Sequence, residues 1–148
     1  MQIKTRPVNV LLIEDNPGDV CLTQEAFGEC KSPIELAVVT DGLEAINYVR
    51  KTGDFATAKT PDLILLDLNL PKISGMDLLA EIKADPGLKT IPILILSTSN
   101  TRYDITNSYN NHVNGFINKP VDFDQFFHII QCIDRFWIRT AILPNMLP

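Results

Sequence analysis

Five short apolar runs recur along this chain of 148 residues, and each is followed by a segment with a helical pattern. The runs comprise residues 8–14, 34–39, 62–68, 91–97 and 115–118. The run at 62–68, DLILLDL, is the most apolar, which is typical of a strand buried on both faces of a parallel sheet. This alternation predicts the doubly wound α/β class, in which right-handed crossovers place helices on both faces of one five-stranded parallel sheet.

The segments between the runs contain helix-initiating and turn residues. Asn16 is a favourable N-cap and Pro17 a favourable first helical residue, which predicts a helix to about Cys30. Four further helices are predicted at residues 41–51, 76–85, 101–111 and 122–140. Gly75 is interpreted as a turn residue only. The elements fill the chain, so a single domain is predicted over residues 1–148.

Composition and charge argue against several classes of function. Apolar residues make up 45% of the chain, charged residues 21%, and the net charge is −5. Lys and Arg are scattered, so no basic stripe for a nucleic-acid backbone and no polybasic membrane patch is predicted. We therefore expect a protein partner, without direct binding to nucleic acid or membrane.

The sequence also indicates a cellular compartment. Residues 1–9, MQIKTRPVN, contain no apolar stretch of signal-peptide type, and no later run approaches the roughly 18 residues of a membrane span. Cys21, Cys30 and Cys132 are odd in number and lack metal-type spacing, as expected of reduced thiols. We expect a cytoplasmic protein.

Polar residues stand where the predicted strands end, which is where open parallel sheets bind ligands. They are Glu14 and Asp15 after the first strand, Asp67 in the third, Ser97 in the fourth and Lys119 after the fifth. Three carboxylates in one crevice repel one another unless a cation neutralises them. Mg²⁺ prefers oxygen ligands and completes its shell with water and phosphate oxygens, so a magnesium site is predicted here.

These groups also suit phosphoryl transfer. A carboxylate can act as a nucleophile and form an aspartyl phosphate, while a metal ion and a lysine stabilise charge on the transferring group. Asp67 is the central candidate for the nucleophile. The hydroxyl of Ser97 could donate a hydrogen bond to a phosphoryl oxygen, which would make the loop after the fourth strand sensitive to phosphate.

In type and order, these residues resemble the response regulator receiver domain. The matching motifs are Glu14-Asp15, LLDLNLP (65–71), LSTSN (96–100) and NKP (118–120). Ser97 follows Asp67 by 30 positions and Lys119 follows Ser97 by 22, as in that family. The likeness covers residues 8 to about 135, and it implies a flavodoxin-like (βα)5 fold with strand order 2-1-3-4-5.

The resemblance implies a role for each matching residue. Asp67 would be the phosphoacceptor, Ser97 the switch hydroxyl and Lys119 the phosphoryl-binding lysine. Phe116 stands at the position of the aromatic switch, which turns inward on activation; it lacks the hydroxyl of the more frequent tyrosine.

The resemblance likewise implies the ligands of the magnesium ion. Asp15 and Asp67 would bind it through their side chains and Asn69 through its backbone carbonyl. Glu14 would act through a metal-bound water.

Further features resemble a particular group of receivers. Asp67 follows Asp15 by 52 positions, several more than in compact receivers, and the chain ends in FWIRTAILP (136–144) and four further residues rather than in an output domain. With SYNNHVNGF (108–116), these features resemble the small stand-alone regulators of bacterial and cyanobacterial phytochromes. We expect a receiver core over residues 8–139 and a short C-terminal extension over 140–148.

That likeness implies two protein partners. One is a sensor histidine kinase of phytochrome type, whose phosphohistidine would be the donor, and the other is a second copy of this chain. Apolar residues near the C-terminus suit a homodimer, because they offer more surface than one helix face buries. They are Phe126, Phe127, Ile130, Phe136 and Trp137. An ordinary core role for this cluster is equally compatible with the sequence.

Two other functions fit parts of the pattern. A Mg²⁺-dependent phosphatase with an aspartate nucleophile usually needs a second carboxylate two residues later, where this chain has Asn69. A receiver-like docking module that is never phosphorylated would be expected to have lost Asp67 or Lys119. We therefore expect a signalling phosphoacceptor, which assists its own phosphotransfer and dephosphorylation, rather than a metabolic enzyme.

Overall fold

Five parallel strands form one sheet in the order β2-β1-β3-β4-β5. The strands are β1 (Val8–Ile13), β2 (Ile34–Val39), β3 (Leu63–Leu66), β4 (Ile93–Ser97) and β5 (Gly115–Asn118). The computed structural model describes residues 6–147, so residues 1–5 and 148 of the predicted domain lie outside the described residues. The predicted class and strand order are confirmed.

One helix follows each strand, and a side chain caps the start of each. The helices are α1 (Pro17–Gly28), α2 (Gly42–Arg50), α3 (Gly75–Ala84), α4 (Arg102–Asn110) and α5 (Phe123–Ile133). The capping residues are Asn16, Asp41, Ser74, Thr101 and Asp122, each accepting a hydrogen bond from a first-turn N–H group. Because first-turn N–H groups have no partner within the helix, these caps fix where each helix begins.

The central strand β3 is buried on both faces. Its four side chains are fully inaccessible to solvent. Ile64 and Leu66 join the hydrophobic cluster that α2 and α3 cover, whereas Leu63 and Leu65 join the cluster under α1 and α5. This explains why the run lacks the polar alternation of a half-exposed strand.

The C-terminal part of the chain differs from the predicted helix over 122–140. The α-helix ends at Ile133 and continues as a π-helical turn, Asp134–Ile138, in which the Arg139 N–H bonds to the Asp134 carbonyl five residues back. Helical periodicity alone does not distinguish such a turn from α-helix. Leu143 and Met146 then pack into the cluster under α1 and α5, so the segment placed in an extension contributes to the core.

The C-terminal apolar residues divide between the core and the surface. Phe126 and Ile130 are buried in the cluster under α1 and α5, and Phe127 and Trp137 are partly buried against it. Phe136 is 55% exposed. Within residues 6–147, no helix combines the length and apolarity needed to cross a membrane.

Candidate functional site

The predicted site residues meet at the carboxyl edge of the sheet. Glu14 and Asp67 directly follow β1 and β3, Ser97 ends β4, and Lys119 directly follows β5. All four are buried, whereas Asp15 is exposed. Charged side chains are seldom buried to this degree unless partners compensate them.

Three carboxylates converge at this edge. Glu14, Asp15 and Asp67 each offer an oxygen, and these oxygens lie within 4.8 Å of one another. Ligands on opposite sides of a magnesium ion lie about 4 Å apart, so a small adjustment would let all three approach one cation. The donor set therefore fits a divalent cation with hard oxygen ligands.

The raised pKa of Glu14 also favours a cation close to these carboxylates. Burial raises the pKa of Glu14 to about 7, and its hydrogen bond with Lys119 only partly opposes this, while the negative charge of Asp67 adds to the rise. A positive charge beside such a carboxylate favours its ionised form. The protein's own lysine thus offsets only part of the cost of burying this charge.

Lys119 is held by two carboxylates. Its ammonium donates to Glu14 Oε1 at 2.6 Å and to Asp19 Oδ2 at 2.9 Å. Burial alone would lower the pKa of Lys119, but the bonds to Glu14 and Asp19 outweigh it and raise the pKa. Sequence reasoning missed Asp19, because an acidic residue in a first helical turn has an ordinary role beside the helix N-terminus.

The β4–α4 loop is held by a hydrogen bond to the Ser97 side chain and by three from Asn118. Ser97 Oγ accepts from the Ser99 N–H at 3.2 Å. The side-chain amide of Asn118 donates to the carbonyls of Ser97, Thr98 and Ser99 at 3.3, 3.3 and 3.1 Å. Asn118 therefore ties this loop to the end of β5, a contact that only the fold reveals, since 19 to 21 residues separate the partners.

Phe116 lies on β5, half-buried against the cluster that α2 and α3 cover. Its backbone N–H donates to the hydroxyl of Tyr109 at 3.2 Å. A phenol from α4 therefore bonds to the backbone at the predicted aromatic switch, although Phe116 has no hydroxyl of its own.

The backbone around Asp67 packs tightly. The Asp67 N–H bonds to the Ile13 carbonyl at 3.1 Å, and the Asn69 N–H approaches Asp67 Oδ1 at 3.4 Å. A Cβ on Gly75 would lie 2.3 Å from the Asp67 carbonyl oxygen and 2.5 Å from Leu68 Cα. The interpretation of Gly75 as a turn residue only was wrong: it begins α3 and lets that helix approach the Asp67 backbone.

Comparison with known proteins adds independent findings. The model of the response regulator receiver domain family matches residues 10–131. The response regulator Rcp1 of Synechocystis sp. is 41% identical over 138 residues, which are 93% of this chain and 94% of Rcp1.

Two solved structures are also similar. The crystal structure of the phosphorylated cyanobacterial phytochrome response regulator RcpA has a TM-score of 0.90 and 49% identity, with 93% of this chain and 99% of that one covered. The Mn²⁺-bound form of Rcp1 has a TM-score of 0.90 and 40% identity, with the same coverage of 93% and 99%.

Proposed function

This chain belongs to the response regulator receiver domain family, and we propose that it accepts a phosphoryl group on Asp67 from the phosphohistidine of a sensor kinase. The observation that carries the proposal is the convergence of Asp67 with two further carboxylates beside a buried lysine. Surface acidic residues have no need of such an arrangement, because water already stabilises their charge.

The chain's own residues have distinct roles in the transfer. A carboxylate oxygen of Asp67 attacks phosphorus, the P–N bond of the phosphohistidine breaks, and the imidazole nitrogen keeps the electron pair. The Lys119 ammonium stabilises negative charge on the phosphoryl oxygens, and the Ser97 hydroxyl donates a hydrogen bond to one of them.

The magnesium ion proposed for this site would be held by the Asp15 and Asp67 carboxylates, the Asn69 backbone carbonyl and, through water, Glu14. When bound, it would neutralise charge on the carboxylates and on the phosphoryl oxygens. The Mn²⁺ in the Rcp1 crystal structure supports a divalent site in this group of proteins. An all-oxygen donor set favours Mg²⁺ over ions that prefer nitrogen or sulfur ligands.

Phosphorylation would be transmitted through the β4–α4 loop and β5. The Ser97 hydroxyl would exchange its contact with the Ser99 N–H for one with the phosphoryl group, and the loop would follow it. Phe116 would then turn toward the space that the loop leaves. The signal would reach partners through the surface formed by this loop, α4 and β5.

The proposed donor is a phytochrome-type histidine kinase. The 49% identity with RcpA, a cyanobacterial phytochrome response regulator, supports this choice. We assign the chain to a single receiver domain, with a core over 8–139 and an extension over 140–148, that acts in the cytoplasm as a homodimer without direct nucleic-acid contact.

Replacing Asp67 with Asn tests the phosphoacceptor. Asp67→Asn should take up no label from a radiolabelled phosphorylated sensor kinase in Mg²⁺, because an amide is a poor nucleophile. Asp54→Asn, which removes an equal charge at an exposed position, should label as wild type does. Undiminished labelling of Asp67→Asn would refute the assignment, and a wild type that never labels would favour the docking module.

A further inference from the structure

Lys119 contacts two carboxylates other than that of Asp67. Among residues 6–147, its ammonium makes hydrogen bonds to Glu14 and Asp19 and none to Asp67. The Lys119 and Glu14 side chains are only 7% and 4% exposed, and that of Asp19 is 28% exposed. The lysine proposed to bind the phosphoryl group thus has two other anionic partners.

Asp19 is held in a fixed place at the start of α1. Its N–H bonds to the capping side chain of Asn16 at 3.1 Å, and its carbonyl accepts from the Thr23 hydroxyl at 2.7 Å. These bonds anchor the backbone that carries the carboxylate. The contact with Lys119 therefore follows from the position of α1 rather than from a freely moving surface chain.

Packing does not enclose the contact between Lys119 and Asp19 on every side. A cavity of about 290 Å³ adjoins this pair, and Asp19, Thr98, Lys119 and Pro120 contribute to its wall. A long lysine side chain bordering open space can change rotamer without displacing core residues. The cavity thus lies on the Asp19 side of Lys119, where open space rather than packed core borders the contact between the two side chains.

The two partners differ in their relation to the cation site. Glu14 belongs to the carboxylate trio, whereas Asp19 lies outside it. A phosphoryl group carries close to two negative charges and three acceptor oxygens, so it competes with both carboxylates for the ammonium. Asp19 is the competitor that has no part in binding the cation.

We propose that Asp19 is a positioning residue that holds Lys119 away from Asp67 until a phosphoryl group draws it across. The inference rests on the function proposed above. It adds a residue that sets the apparent affinity of the site for the phosphoryl group. A contact present only in the unphosphorylated state must lower the apparent affinity for the phosphoryl group by its own free energy.

Beryllofluoride, a phosphoryl analogue, tests this at equilibrium in saturating Mg²⁺. Asp19→Asn keeps the size of the side chain and removes its charge, so beryllofluoride should bind roughly fivefold more tightly, as expected for one partly exposed ion pair. Asp19→Glu, which restores the charge, should return the affinity toward that of wild type. Fluorine NMR measures the bound fraction directly.

Glu25→Gln is the matched control, because it removes one negative charge from an exposed position on the same helix. It should leave the affinity unchanged. An equal gain in Glu25→Gln would attribute the effect to general charge and overturn the proposal, as would unchanged or weaker binding by Asp19→Asn. If Asp67→Asn binds beryllofluoride as well as wild type does, the proposed function itself fails, and this inference with it.

Discussion

Lys119 makes the same contact with a glutamate as Lys59 makes at the surface, but in different surroundings. Both N–O distances are 2.6 Å, to Glu14 and to Glu35 respectively. The first pair is 7% and 4% exposed, and the second is 64% and 50% exposed. Water already solvates the surface charges, so the contact should matter only at the buried site.

Truncating each lysine measures this difference. Lys119→Ala should lower the free energy of unfolding by about 3 kcal/mol at pH 8 without divalent cations, because it leaves Glu14 buried beside Asp67. Lys59→Ala should cost less than about 1 kcal/mol. Urea denaturation compares the two, and equal losses would contradict the buried role.

The cost of Lys119→Ala should depend on pH. The pKa of Glu14 is already raised to about 7 in the folded protein, and removing the lysine raises it further. A raised pKa means that the folded state binds a proton more readily than the unfolded state, so rising pH disfavours folding. The loss of stability should therefore grow through pH 7 and shrink toward pH 5, and a loss that grows toward acid would contradict this.

At this scale, sequence reasoning finds residues whose chemistry is recognisable from type and order. Asp67, Ser97 and Lys119 belong to a known spacing. Asp19 belongs to no such spacing, and Asn118, although part of the NKP motif, had no predicted role. The contacts of both depend on which backbone or side-chain atoms the fold places within 3.3 Å of them. Contacts of that kind require the relative placement of α1, β4 and β5.

At the scale of elements, the Asp67 backbone depends on how closely α3 approaches it. Gly75→Ala would place a methyl group 2.3 Å from the Asp67 carbonyl oxygen. Backbone atoms cannot yield as a flexible side chain can, so we expect a loss of about 2 kcal/mol in unfolding free energy. We also expect slower phosphorylation as Asp67 shifts.

Gly28→Ala is the control for that variant. Gly28 ends α1, and an added Cβ there would have no neighbour within 4 Å. Alanine favours helix over glycine by up to about 1 kcal/mol, so this variant should be as stable as wild type or more so. Equal destabilisation in thermal denaturation would argue against a special role for Gly75.

Helices and strands were predictable where capping or turn residues agree with the hydrophobic periodicity. All five strands and five helices were expected near their observed positions, and the Asn16 cap and Pro17 start are confirmed. The π-helical turn and the return of residues 143–146 to the core were not, since both depend on tertiary packing rather than on a local repeat.

At the scale of the whole molecule, the proposed homodimer rests on surface that the fold leaves exposed. Phe136 is 55% exposed, and its ring meets that of Trp137 edge-on at 5.3 Å. Phe136→Ala should weaken self-association by removing an aromatic anchor. Tyr103→Ala, at a 74% exposed position on α4, should not.

Analytical ultracentrifugation over a range of concentrations measures this association. We expect the apparent dimer dissociation constant of Phe136→Ala to rise at least tenfold, which corresponds to about 1.4 kcal/mol. A wild type that stays monomeric at all concentrations would remove the dimer from the proposed function. Equal weakening by the two variants would instead place the interface elsewhere.

The capped helices have a further consequence for this edge of the sheet. In a parallel sheet with one helix after each strand, every helix begins at the edge where Asp67 lies. Aligned peptide dipoles leave about half a positive elementary charge at each helix start, an effect confined to the first turn. The backbone thus supplies positive potential that no side-chain substitution removes, so variants lacking Lys119 should retain a weak, salt-sensitive attraction for anions at this edge.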